Sequence, residues 1–73
     1  MDKTELQDAL KALLEKIAIL DEAKRNEAGI PEILTNIVSV RSFADVGLLT
    51  NNAGLVIKTA DRGEFHLTIV RSH

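Results

Sequence analysis

The chain is expected to fold as α+β, with one long N-terminal helix packed on a three-stranded antiparallel β-meander that ends in a hairpin. Three observations lead there. Leu6, Leu10, Leu13, Ile17 and Leu20 recur in alternating steps of four and three, the period of a helix face. Two alternating apolar runs flank Asp61-Arg62-Gly63, and Ile37 to Phe43 is β-branched and alternating as well.

The helix is predicted over residues 3–28. Asp2 with Glu5 and Thr4 with Gln7 are overlapping capping boxes at its start, and Gly29-Ile30-Pro31 is a stop with Gly at the C′ position. Acids lead and bases follow, as the helix dipole favours. Such a helix is about 37 Å long, whereas hairpin arms of seven residues span about 23 Å, so it overhangs the sheet. Either residues 31–50 cover the excess stripe or a second copy of the chain does. Leu10, Leu13, Ile17 and Leu20 are the residues expected to meet in such a self-association.

The strands are predicted near 36–43, 54–60 and 64–71. Pro31 and Glu32 can open a helical turn before the first strand. Residues 44–53 have two readings, a helical turn capped by Ser42 with Asp45 or a short fourth strand. The last two strands form a hairpin whose three-residue loop is Asp61-Arg62-Gly63, with Gly63 at positive φ. That loop pairs Leu55 with Ile69 and Ile57 with Leu67 on an apolar face, and Val56 with Thr68 and Lys58 with His66 on the other. A four-residue loop would set Lys58 against Leu67, so pattern and turn agree on the shorter one. Gly54 is likewise read as a positive-φ residue. The expected core is Leu6, Leu10, Leu13, Leu14, Ile17, Leu20, Ile37 or Val38, Phe43, Leu55, Ile57, Phe65, Leu67 and Ile69.

Composition bounds what the protein does. With 73 residues the chain is expected to be a single domain of marginal stability, for which self-association is a common extra source of burial. No cysteine is present, so disulfides and thiolate metal sites are excluded, and the expected setting is the cytoplasm. No apolar run is long enough for a membrane span. The formal net charge is −2; residues 1–35 carry five Lys or Arg against eight Asp or Glu, and residues 36–73 carry four against three. That balance offers little electrostatic pull toward nucleic acid.

No nucleophile–base motif, phosphate loop or metal-ligand spacing occurs, so catalysis, cofactor and metal are not expected. The expected function is that of a small non-enzymatic protein-binding module, self-associating, on the scale of phage or bacterial accessory proteins that inhibit or adapt a larger complex. Its partner surface is placed on the outer face of the hairpin and its neighbours: Arg41, Val56, Lys58, His66, Thr68, Val70 and Arg71. The alternative is a dimeric nucleic-acid-binding protein using the basic residues of that face.

Overall fold

The computed structural model describes residues 1–48 and 50–72; Leu49 and His73 lie outside the described residues. The fold is α+β. Helix α1 (Lys3–Ile19) is followed by a short helix α2 (Glu22–Glu27), a 3-10 helix (Glu32–Asn36) and strands β1 (Ile37–Ser42), β2 (Ala53–Thr59) and β3 (Glu64–Ile69). The strands form one antiparallel sheet in the order β1-β2-β3.

Asp2 starts α1 as expected, its carboxylate accepting the Glu5 N–H at 2.8 Å. The helix does not reach residue 28. It stops at Ile19 because Leu20 turns extended and Asp21 caps a new helix, accepting the Lys24 N–H at 2.8 Å. The overhang is thereby resolved by a third route: 17 residues make a helix of about 25 Å, the length of the strands beneath it. Gly29 ends α2 as anticipated, at φ 72°, in a Schellman pair of bonds from Ile30 N–H to Arg25 C=O and from Gly29 N–H to Asn26 C=O.

A β-bulge decides which residue of Ile37 and Val38 enters the core. Ile37 pairs with Thr59 and Ser39 with Lys58, so Val38 is the extra residue and is 66% exposed. The bulge lets Ile37 and Val40, three apart, both face α1. They pack with Leu10, Leu14, Leu55 and Ile57, and Leu55 is fully buried. After β1 the chain takes the helical-turn alternative. Ser42 and Asp45 cap each other, Ser42 N–H to the Asp45 carboxylate and Asp45 N–H to Ser42 Oγ, and Gly47 follows at φ 75°.

The hairpin loop sits one residue earlier than its expected place. The loop is Ala60-Asp61-Arg62, closed by Arg62 N–H to Thr59 C=O and Thr59 N–H to Gly63 C=O. Arg62, not Gly63, takes the left-handed position, at φ 67°. Two local forces favour this: the Asp61 carboxylate accepts bonds from the Thr59 hydroxyl and the Gly63 N–H, and Ala60 N–H donates to Asn36 C=O at 2.8 Å. Gly63 is required for space, since a Cβ there would lie 2.6 Å from Thr59 Oγ1. The register moves by two, to Leu55 with Leu67, Val56 with His66 and Lys58 with Glu64. A shift of two preserves which side chains share a face.

Gly54 is a glycine for the same reason of space. Its added Cβ would stand 2.3 Å from the Phe43 ring and 2.4 Å from the Leu67 carbonyl oxygen. Gly54 N–H donates to Gln7 Oε1 of α1 at 2.9 Å, and its C=O accepts the Phe43 N–H at 3.0 Å. Helix, sheet and the turn after β1 thus meet at one backbone unit.

Gly54→Ala is expected to destabilise the fold by about 3 kcal/mol, because neither a carbonyl nor a buried ring can yield an ångström. Arg62→Gly is expected to stabilise it by up to about 1 kcal/mol by relieving positive φ. Thermal melts with circular dichroism check both.

The carboxyls of Asp2, Asp45 and Asp61 are held below the ordinary 3.8 by hydrogen bonds, chiefly from the Glu5 N–H, the Ser42 N–H and the Thr59 hydroxyl respectively. A depressed folded-state pKa contributes stability that is complete above the unfolded value and lost as pH falls through the folded one. The melting temperature should therefore hold down to about pH 4.5 and drop below pH 4. Replacing all three by Asn, which caps without ionising, should flatten that drop.

Candidate functional site

An α-helix is about 10 Å wide and strands lie about 4.8 Å apart, so one helix covers two strands and not three. Here α1 packs on β1 and β2 and leaves the helix-side face of β3 open. Phe65 is 57% and Leu67 43% exposed there, although the pattern assigns both to the core. Leu10 and Leu14 pack onto the sheet, and Ile17 is buried. Leu6 and Leu13, two helical turns apart on the flank, are exposed.

The result is an apolar step. Its floor is Phe65, Leu67 and the half-buried Ile69, and its wall is Leu6 and Leu13. At one end Met1, Leu6, Ile69 and Val70 line a shallow cavity of about 100 Å³. The four exposed side chains of the step leave about 350 Å² of apolar surface in water, within the size of patches that mark contact sites. The self-association set is accordingly divided: Leu10 packs on its own sheet, Ile17 is buried, Leu20 is half-buried at the helix break, and Leu13 remains outside.

The outer face of the sheet carries the other predicted residues. Arg41, Val56, Lys58, His66 and Thr68 do share that face, since Arg41 pairs with Val56 and Val56 with His66. Val56, however, is buried and offers no contact surface. Phe43 folds back over Gly54 on this side with its ring 6.0 Å from that of His66, which is where the expected core aromatic resides. Glu64 stands between the bases, 3.2 Å from His66 Nε2 and 4.0 Å from Lys58 Nζ. Val70 and Arg71 follow the end of β3, both exposed.

A third surface is a groove of about 440 Å³ between α1 and β1, lined by Lys11, Glu15, Ile19, Val38, Arg41 and Asp45 among others. Two of its charges pair with each other, and Asp45 accepts the Ser42 N–H. Lys11 donates to Glu15 at 2.9 Å, which raises the Lys11 pKa and keeps the amine protonated. An ammonium fixed in that state is no general base. Among the described residues no three His, Cys, Asp or Glu gather as metal ligands would, and no helix is long and apolar enough to cross a membrane. Comparison with protein-family models, with curated proteins and with solved structures finds no match.

Leu6, Phe65 and Leu67 are thus site residues that the hydrophobic pattern assigns to the interior alone, while Leu13 is also expected in self-association. The signal that could have singled them out is the width of a helix set against three strands.

If the step is surface rather than core, Phe65→Ser should change stability by no more than about 1 kcal/mol. Leu55→Ala, beneath α1, should cost about 3 kcal/mol. Urea unfolding of the two variants checks the contrast.

Proposed function

We propose that this chain is a non-enzymatic protein-binding module that works by contact through the apolar step. The observation that carries this reading is the exposure of Leu6, Leu13, Phe65 and Leu67 together along the uncovered strand and the helix flank beside it. Binding would bury an aliphatic floor with a single aromatic anchor, Phe65, at its hairpin end. In keeping with a chain of this size, the reading includes self-association and a place in the cytoplasm as an accessory, of phage or bacterial kind, to a larger complex. The nucleic-acid alternative is the weaker one, because Glu64 sits within bonding reach of both His66 and Lys58 on the basic face.

Affinity capture from native extract, run with wild type, Phe65→Asp, Leu13→Asp and Lys58→Glu, tests the reading. Capture is expected to fall at least about tenfold in the first two variants and to persist in the third. Loss confined to Lys58→Glu, with binding that weakens steeply in salt, would move the site to the outer face and to nucleic acid.

A further inference from the structure

The step has an open side as well as an open top. Among the described residues β3 pairs only with β2, so its other edge is a row of backbone donors and acceptors. The phase of that row is set at the hairpin end, where Thr59 N–H bonds Gly63 C=O. Counting along the register, Phe65, Leu67 and Ile69 turn their backbone groups to β2, while Glu64, His66 and Thr68 turn theirs to the open edge.

The two edges of this sheet are not alike. β1 carries the bulge at Val38, which breaks its ladder spacing. β3 has no bulge, no proline, no glycine and no lysine, and is regular from Glu64 to Ile69. Bulges, prolines and lysines are among the devices that blunt strand edges, and β3 has none of these; its charged residue is Glu64, at the hairpin end.

Resting on the contact reading above, we propose that the occupant of this edge is the β3 strand of a second copy, paired antiparallel about Leu67 to join two sheets into one of six strands. The sequence of β3 supports self-pairing in that register. Centred on Leu67, Phe65 meets Ile69 of the second copy and Leu67 meets Leu67, all on the helix side. On the outer side His66 meets Thr68 and Glu64 meets Val70, so no like charges face each other. The pairs at 64 with 70 and 66 with 68 are the hydrogen-bonded ones, matching the groups β3 turns outward. Centring on His66 would instead run the second copy's strand into Gly63 and the left-handed Arg62. Odd registers set apolar against polar residues throughout.

The area fits a reversible dimer. The strand edge and the floor of the step together present on the order of 500 Å² per copy, or about 1,000 Å² for the pair, the lower bound of specific interfaces. The two α1 helices would stand on the same face about 19 Å apart, too far to touch, with six apolar β3 side chains sheltered between them.

The absence of cysteine makes this register directly testable. Leu67 and its symmetry mate form a non-hydrogen-bonded pair, the closer kind, so Leu67→Cys should oxidise to an intermolecular disulfide. Phe65→Cys places its two thiols four residues apart, about 13 Å, and Val38→Cys sits on the other edge. Mild oxidation followed by non-reducing electrophoresis is expected to crosslink Leu67→Cys at least about tenfold faster than either control, with circular dichroism confirming that all three are folded. Sedimentation of the wild type between about 10 and 500 µM should show a shift from 8.0 kDa toward twice that mass. A wild type that stays monomeric over that range overturns the proposal, as does crosslinking no faster in Leu67→Cys than in the controls. A monomer whose capture of a partner is still abolished by Phe65→Asp would leave the contact reading in place while removing the second copy from it.

Discussion

The arrangement hangs on one backbone unit, the peptide at Gly54. Its N–H reaches up to Gln7 of α1, its C=O holds the Phe43 N–H, and the space where a side chain would stand is filled by the Phe43 ring and the Leu67 carbonyl. A buried amide left without its acceptor costs about 1–3 kcal/mol, so the Gln7 carboxamide fixes where the helix lies along the sheet more strictly than aliphatic contacts can. Gln7 is buried for this purpose, a polar residue in the middle of an apolar stripe. With the helix anchored over β2 at its N-terminal end, its 17 residues run over β1 and β2, and β3 is left uncovered. The open step therefore follows from the width of one helix on three strands, held in place by the anchor, and not from a shortage of apolar residues.

The break at Leu20 belongs to the same logic. A continuous helix to residue 28 would carry its last three turns past the end of the sheet. Asp21 ends it by offering the next helix a better first turn than the old one had a last. The chain then has α2 and the 3-10 helix, bounded by the Gly29 motif, in which to return to the start of β1. Asn36 closes the circuit by accepting the Ala60 N–H, which ties this return path to the hairpin tip.

Much of this was legible in the residues themselves. The helix stripe, the caps at Asp2 and Gly29, the Ser42–Asp45 turn and the alternation of β2 and β3 each rest on local chemistry, and local chemistry is what a sequence displays. The register went astray by two because Asp61 and Thr59 form a side-chain bond that favours a left-handed Arg62 over a neighbouring glycine. Gly63 and Gly54 were assigned to positive φ, whereas each is needed for the close approach of another group, and close approach is tertiary information. Val38 was undecided because a bulge breaks the alternation on which such a choice depends. Alternation correctly groups Arg41, Val56, Lys58, His66 and Thr68 on one face, yet Val56 is buried there, beside Phe43, which has folded onto it. The exposure of Phe65 and Leu67 escaped for a plainer reason: apolar alternation reports which side chains share a face, not whether anything is available to cover it.

The bulge at Val38 has a consequence for how large an assembly of this chain can grow. A sheet with two equivalent open edges can add copies head to tail, β1 on β3, and such a heterologous contact repeats without closing and ends in fibres. One extra residue in β1 spoils the spacing on which that repeat depends, while leaving β3 regular. If copies join through β3 as proposed, two like edges meeting about a two-fold axis would exhaust each other. The inserted valine would then act as a terminator of polymerisation, favouring closed over open association.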